Sequence, residues 1–285
     1  MLRRDIQTPP EYKSLLEIGL MREAGKLVAR ALRICREMAK PGARTADINE
    51  AVEALFDSHG ATPLFKGYVP GATGAAFPAV TCLSLNEQVV HGIPNNRPLR
   101  EGDLLKVDTA CRLNGWCADA AITLAIGEVR SERRRLIKVA EEVLNVAIVE
   151  IARRRWWSEV AVRMQRHAQE AGFSVVEQYV GHGIGRDMHE SPQVPNFMNK
   201  ELQKRGDFRL EPGLVLAVEP MVNMGRADVR TLEDQWTVVT HDGLPSVHVE
   251  HTLAITPYGV VVVTADEGDP AGEVRIPVAA TAAAV

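Results

Sequence analysis

The chain has 285 residues, of which 46% are hydrophobic and 25% are charged, and its formal net charge is −4. A chain of this length and composition can bury a sizeable core without disulfides or a structural metal. The near balance of charge argues against a nucleic-acid site, because such binding needs an excess of lysine and arginine to displace the counterions of the phosphates.

The targeting and redox signals favour a cytoplasmic protein without a membrane partner. The N-terminus MLRRDIQTPP has two arginines but no apolar stretch behind them, unlike a signal peptide. No apolar run approaches the ~20 residues needed to cross a bilayer. The cysteines show neither a CxxC pair nor zinc-finger spacing, so we expect reduced thiols at Cys35, Cys82, Cys111 and Cys117.

The first half of the chain reads as two helices followed by strands. After a lead-in over residues 1–10, apolar residues recur at steps of three and four over residues 11–40, which predicts a helix that Pro41-Gly42 ends. A second helix is predicted from about residue 45 to residue 59. The segment that follows, residues 61–78, is a loop rich in glycine, proline and alanine, and strands with turns continue to Gly127.

The second half follows the same plan. Helices are predicted over residues 131–154 and 158–171, and strands at residues 174–180, 214–223, 235–240 and 247–256. The repeated order of two helices and then strands suggests a duplicated architecture. No linker separates independent units, so we expect one α+β domain over residues 11–264, followed by a flexible Ala/Pro-rich tail over residues 265–285.

Asp108 and Asp119 flank a hairpin signal. They are symmetric about Leu113-Asn114-Gly115, so a four-residue turn over residues 112–115 would set them directly opposite each other, with Cβ atoms ~4.5–5.5 Å apart. Two carboxylates held that close raise one another's pKa, and a cation between them would remove the repulsion. The alternative is a pair of ordinary turn-flanking aspartates, and this segment alone does not decide between the two.

Further carboxylates and histidines lie in unusual contexts. His182 and His189 lie in the glycine-rich segment YVGHGIGRDMHESPQV, which lacks the lysine and Ser/Thr of a phosphate-binding loop. Glu219 follows an apolar strand, and Glu250 lies among apolar residues in SVHVEHTLAIT. Such carboxylates are costly to bury unless they are paired or bound to a metal. Singly each is more often a salt-bridged structural residue, but together with the two aspartates they indicate a pair of metal ions.

The whole set resembles the methionine aminopeptidases in order and spacing. The shared motifs are two aspartates eleven residues apart, GHGIG, EPMVN, VEHT, HGIP and HE, which supply Asp108, Asp119, His182, Glu219, Glu250, His91 and His189. The resemblance covers residues 11–264. It implies an α+β fold of the pita-bread type, in which two pseudo-symmetric halves surround a central curved antiparallel sheet and enclose the metal site.

The resemblance also implies a ligand set for two divalent metal ions. Asp119 and Glu250 would bridge the ions, Asp108 would chelate one, and His182 and Glu219 would bind the other. Four carboxylates match the charge of two divalent cations. Oxygen ligands with one imidazole suit Mn, Fe or Co better than Zn.

The implied reaction is removal of the N-terminal methionine from nascent proteins and peptides. A hydroxide bridging the two ions would attack the scissile carbonyl. Glu219 would move the proton as general base and acid, His91 would contact the scissile amide, and His189 would steady the carbonyl oxygen. The implied partner is the N-terminus of the emerging polypeptide, with a transient ribosome contact and a monomeric enzyme.

The substrate pocket is expected from a further set of residues. The candidate pocket residues, chosen by resemblance to family positions or by their place in the sequence, are Phe65, Tyr68, Phe77, Cys82, Met188, Trp236 and His248. Aromatic faces suit an unbranched thioether. Tyr68 and Phe77 compete for one place, and Met188 stands where the family often has an aromatic residue. The alternative is that these are ordinary core residues.

One segment departs from the family pattern at the mouth of the pocket. Residues Val69–Ala76 form a glycine- and alanine-rich insertion, which we expect to be mobile. One interpretation is a lid that favours small second residues of the substrate. The alternative is a passive surface insertion. Asp187 adds a charge beside the same region.

Two other functions compete with methionine removal. An enzyme of the same fold that cleaves before proline would generally carry an additional N-terminal domain. A non-catalytic binding module of this fold would typically have lost metal ligands, whereas all five positions carry the expected residue type here.

Overall fold

The structure, a computed structural model, describes residues 9–69, 74–200 and 202–266. Most of the predicted lead-in and tail, and residues 70–73 of the predicted insertion, lie outside this part of the chain. The four helices are α1 (Leu15–Met38), α2 (Thr45–Ser58), α3 (Ser131–Ile151) and α4 (Trp157–Glu170), and a π-helical turn spans Leu202–Gly206. Within the described residues, no helix combines the length and apolarity needed to span a bilayer.

Fifteen strands lie in these ranges. Those of the first half are β1 (Thr62–Pro63), β2 (Thr81–Leu85), β3 (Gln88–Val90), β4 (Leu104–Leu113) and β5 (Trp116–Ala125). Those of the second half are β6 (Ser174–Val175), β7 (Gly181–Gly183), β8 (Glu190–Val194), β9 (Val215–Val218), β10 (Met221–Asn223), β11 (Val229–Thr231), β12 (Val238–Thr240), β13 (Ser246–His248), β14 (His251–Thr256) and β15 (Gly259–Val262).

Helix α1 begins later than the periodicity predicts. Ser14 caps it: the Glu17 amide donates to Ser14 Oγ, and the Ser14 amide donates to the Glu17 carboxylate. Such a reciprocal capping box fixes the first turn of a helix. Residues 11–14, which were predicted to be helical, therefore precede the helix.

Each half has its own hydrophobic core between two helices and a set of strands. In the first half α1 and α2 cover β2, β4 and β5, with Phe56 and Leu105 among the buried side chains. In the second half α3 and α4 pack together over the strands, with Trp157 and Leu216 in the core. The predicted order of two helices and then strands thus occurs twice, and the opposite face of the strands is left for the site.

The β4–β5 hairpin differs from the predicted one in its register. Its turn has two residues, Asn114 and Gly115, whose φ values are 51° and 82°. Asn-Gly adopts such left-handed pairs readily, and they match the twist of a two-residue hairpin. Asp108 therefore pairs with Ala121, and the prediction that it lies directly opposite Asp119 was wrong. The two aspartates are diagonal neighbours on one face.

Candidate metal centre

Strand register brings three carboxylates to one face of the sheet. Asp108 on β4 pairs with Ala121 on β5, and Ala121 also forms a bridge with Glu250, just before β14. Asp119 lies two residues before Ala121. Because side chains alternate along a strand, Asp108, Asp119 and Glu250 project to the same side.

The second half adds a histidine and a fourth carboxylate to that face. Ala217 on β9 pairs with His182 on β7 and with Thr252 on β14. Thr252 lies two residues after Glu250, and Glu219 lies two residues after Ala217. The same alternation therefore directs His182 and Glu219 toward the three carboxylates of the hairpin side.

The five side chains converge closely. Potential ligand atoms of Asp119, His182 and Glu250 all lie within 4.8 Å of one another. Nε2 of His182 is 3.7 Å from Oε1 of Glu219. Asp108 is buried in the same cluster, and its neighbours Asp119 and Glu219 raise its pKa further.

Several carboxylate oxygens of this cluster have no partner in the described part of the chain. Oδ1 of Asp108, Oδ1 of Asp119 and Oε1 of Glu250 are buried and have no hydrogen-bond partner among the described residues. No lysine or arginine of that part of the chain forms an ion pair with them or with Glu219. Burial raises the pKa of Asp119 to about 7, and burial with mutual repulsion raises the pKa values of the other three carboxyls well above their usual range. Oxygens left without partners in this way fit divalent cations.

His182 has the tautomer that a metal ligand needs. Its Nδ1 is 2.9 Å from the carbonyl of Gly183, and a carbonyl can only accept, so Nδ1 carries the proton. Burial, and then the nearby His189, lower its pKa to about 3, which keeps the ring neutral. The lone pair of Nε2 therefore faces the carboxylates, in the arrangement that orients metal-binding imidazoles.

Three more histidines surround the carboxylates. The ring of His189 lies 4.4 Å from that of His182, and the ring of His91 contacts Tyr179 and Trp236. Burial lowers the pKa of His91 to about 4. His248, expected to line the pocket, lies with Nε2 3.7 Å from Glu219 and 4.0 Å from Glu250.

The expected pocket residues form an aromatic cluster beside these histidines. Phe65, Phe77, Cys82 and Trp236 pack together, and Phe77 lies edge-on to Trp236 at 5.0 Å between ring centroids. Tyr68 contacts Trp236 from the rim and is 38% exposed, whereas Phe77 is 2% exposed. Phe77 is therefore the more deeply buried of the two residues that compete for one place. Met188 is buried next to His189 in the chain.

Two residues that hold the site were not among the residues expected from the sequence. The Thr252 hydroxyl donates to the Asp119 carbonyl and accepts from its amide, at 2.8 Å and 3.1 Å. The side-chain amide of Asn196 donates to the carbonyl of Glu219 at 3.2 Å. In each bond the two residues are more than 20 positions apart in the sequence, so only the tertiary structure reveals the contact. Thr252 lies in the VEHT motif, where only Glu250 was expected to act.

Known proteins are similar to this chain in both sequence and fold. The pattern of metallopeptidase family M24 matches residues 19–257. A methionine aminopeptidase of Clostridium perfringens is 42% identical over 87% of this chain and 96% of its own length. Methionine aminopeptidase 1 of Bacillus subtilis is 40% identical over 88% of this chain and 98% of its own length. The chain therefore belongs to metallopeptidase family M24 and, within it, to the methionine aminopeptidases.

Solved structures agree with this assignment. The crystal structure of a methionine aminopeptidase from Thermotoga maritima matches with a TM-score of 0.83 and 38% identity, covering 90% of this chain and 99% of that one. The prolidase from Pyrococcus furiosus has a TM-score of 0.70 at 20% identity, and the match covers 66% of its length, which shows a shared fold alone. These likenesses confirm the predicted α+β pita-bread architecture.

Proposed function

We propose that this chain removes the N-terminal methionine from peptides and nascent proteins, with two divalent ions held by Asp108, Asp119, His182, Glu219 and Glu250. The observation that carries the proposal is the convergence of three buried carboxylates and the largely buried Glu219, without a lysine or arginine partner in the described chain. Buried carboxylates without a positive partner destabilise the folded protein, and binding cations between them removes that cost. Its oxygen-rich donor set with one imidazole favours Mn, Fe or Co over Zn.

The metal ions would supply an activated water and polarise the scissile carbonyl. The protein's own contribution begins with Glu219. Its backbone carbonyl is held by Asn196, and its carboxylate lies 3.7 Å from both His182 and His248. A carboxylate fixed in this way is suited to accept the proton of the attacking water and deliver it to the leaving amine.

The histidines outside the ligand set act on the substrate. Burial lowers the pKa values of His91 and His189, so both rings are neutral near pH 7. A neutral imidazole N–H donates a hydrogen bond without introducing a full charge. His189 accordingly donates to the carbonyl oxygen as its charge grows, and His91 contacts the scissile amide.

The aromatic cluster supplies the selectivity for methionine. Phe65, Phe77 and Trp236 present ring faces and edges around Cys82, an environment that favours a flexible thioether. The enzyme prefers substrates with a small second residue, because the substrate backbone leaves the pocket past Tyr68. The same proposal includes action in the cytoplasm as a monomer, with a transient ribosome contact.

The experiment that tests this function compares three peptides, Met-Ala-Ser, Met-Pro-Ser and Ala-Pro-Ser, with Mn, Fe, Co or Zn added to metal-free protein. We expect release of methionine from Met-Ala-Ser, fastest with one of the first three metals. Faster cleavage of Ala-Pro-Ser would instead support an enzyme that cleaves before proline. Tight peptide binding without cleavage under every metal would support a binding module.

A further inference from the structure

Lys13 is a buried lysine that the metal centre does not use directly. It lies in the extended segment before α1, and its side chain is 2% exposed. Its Nζ forms an ion pair with Glu190 and donates to the carbonyl of Glu11 at 2.9 Å. Its backbone amide donates to the carbonyl of Gly213 at 2.7 Å. Both ends of the residue are therefore fixed.

Glu190 connects this lysine to the loop that carries His189. The loop runs between β7 and β8, and Glu190 begins β8 directly after His189. Oε1 of Glu190 also accepts from the amide of Asp187 at 3.2 Å. The Glu190 carboxylate thus accepts from the loop backbone through one oxygen and pairs with the Lys13 ammonium through the other.

The loop closes tightly around the ion pair at Gly185. A Cβ atom on this residue would lie 2.4 Å from Cε of Lys13 and 2.5 Å from Oε1 of Glu190. A side chain at this position would force the ends of Lys13 and Glu190 to move. The loop backbone at Gly185 therefore packs directly against the ion pair, whose lysine is 2% exposed.

The two histidines of this segment are held in different ways. His182 is fixed by its strand pairing with Ala217 and by its ring hydrogen bond to Gly183. The ring of His189 has packing contacts, to His182 at 4.4 Å and to Tyr68 at 5.4 Å. Its placement therefore depends on the backbone of the loop, which Glu190 anchors.

We propose that Lys13 is a positioning residue for His189 and acts through Glu190. The proposal rests on the role of His189 in the proposed function. Removing Lys13 leaves the Glu190 carboxylate buried and unpaired, so the carboxylate is expected to turn toward water and to take the adjacent residue with it. The metal ligands are held by other contacts, so we expect them to keep their positions.

The test separates positioning from stability with a double-mutant cycle. Lys13→Met, Glu190→Gln and the double variant are compared with the parent as metal-loaded enzymes, by kcat and KM on Met-Ala-Ser, melting temperature and metal content. Lys13→Arg tests rescue by a conservative change. Lys138→Met, which removes a lysine from an exposed pair with Glu142, is the matched control.

We expect Lys13→Met to lower kcat at least ~10-fold, with KM within about twofold and normal metal content. The double variant should recover melting temperature and part of the kcat, because no unpaired charge remains to draw residue 190 toward water. Lys13→Arg should recover part of the kcat, and Lys138→Met should match the parent. A Lys13→Met variant that keeps the kcat of the parent would overturn the proposal.

A second readout does not depend on turnover. The ring resonances of His189 in zinc-loaded protein, assigned by comparison with His189→Gln, should shift in Lys13→Met while those of His182 change little. Unchanged His189 resonances would contradict the positioning role. If the parent itself fails to cleave Met-Ala-Ser, the proposed function fails, and the resonances still decide whether Lys13 places His189.

Discussion

The rings of His182 and His189 lie 4.4 Å apart at an angle of 74°, so the edge of one meets the face of the other. His182 donates from Nδ1 to its neighbour's carbonyl and turns Nε2 toward Glu219. His189 lies on the side of Tyr68, toward the aromatic cluster. Two adjacent imidazoles thus have different surroundings, one among the carboxylates and one beside the aromatic cluster.

The first prediction separates these two histidines. His182→Ala is expected to reduce bound metal, because it removes the imidazole among the carboxylates. His189→Ala is expected to leave metal content near normal and to lower kcat at least ~10²-fold, the loss expected for a donor to a developing oxyanion. Metal analysis and turnover on Met-Ala-Ser measure both effects. Equal metal loss in the two variants would make His189 a ligand as well.

The second prediction concerns the proton carrier. Glu219→Gln keeps the shape of the side chain but cannot accept a proton, so kcat should fall at least ~10²-fold. Glu233→Gln, which changes an exposed glutamate, is the matched control and should be neutral. Turnover of Glu219→Gln within a few-fold of the parent, with metal content verified, would rule out the role of Glu219.

The candidate site residues stand out in the sequence more clearly than the backbone that brings them together. Carboxylates such as Glu219 and Glu250 stand out because charge among apolar residues requires compensation. The register of the hairpin was wrong because Asn114-Gly115 closes a two-residue turn, which the symmetry of Asp108 and Asp119 about the turn concealed. Alternation of side chains still kept both aspartates on one face.

Other elements could not be predicted because their causes are not local. Strand β7 contains Gly181 and Gly183, and glycine disfavours strands, yet pairing on both sides makes this segment a strand. The buried partnership of Lys13 with Glu190 joins residues 177 positions apart. Asn196 supports Glu219 from another loop. Such contacts follow from the assembled fold and leave no periodic or motif signal.

The third prediction concerns the pH dependence of metal-free protein. Burial raises the pKa of Asp119 from 3.8 to about 7, and the other three carboxyls shift the same way. The folded state then retains protons that the unfolded chain has lost, so the contribution of these four carboxyls to stability is fullest below about pH 4 and falls as pH rises toward 7.

The size of this effect can be bounded from one group. Each pKa unit corresponds to ~1.4 kcal/mol, and ~1 kcal/mol shifts the melting temperature of a domain of this size by about 2–4 °C. Metal-free protein should therefore lose at least about 4 °C between pH 5 and pH 8. Metal-loaded protein should show a smaller slope, as should metal-free Asp119→Asn. A melting temperature of the metal-free protein that rises over this interval would contradict the shifted pKa values.

The fourth prediction concerns the rim of the pocket. Tyr68 lies 5.4 Å from His189 and 6.4 Å from Trp236, and the Trp236 indole donates to the carbonyl of Ala75 at 3.1 Å. The predicted insertion, Val69–Ala76, is thus attached to the aromatic cluster at its C-terminal end. If this segment limits the second residue of the substrate, Tyr68→Ala and a deletion of residues 70–73 should both raise the rate on Met-Leu-Ser relative to Met-Ala-Ser.

We expect that ratio to rise at least ~10-fold, since removing a steric clash of a few methylenes is worth ~1–3 kcal/mol. Tyr258→Ala, at an exposed tyrosine outside the site, is the control. An unchanged ratio in folded, metal-loaded variants would show that the insertion is a passive surface segment.

The most direct measurement is a titration of divalent metal into protein that has been freed of metal and verified by elemental analysis. Release of methionine from Met-Ala-Ser is followed at each step, in the parent and in Glu250→Ala. If the five residues bind the catalytic metal ions, the metal-free protein is inactive and the parent recovers activity as Mn, Fe or Co is added. Glu250→Ala should show no comparable recovery. Full activity of the verified metal-free parent would contradict this assignment.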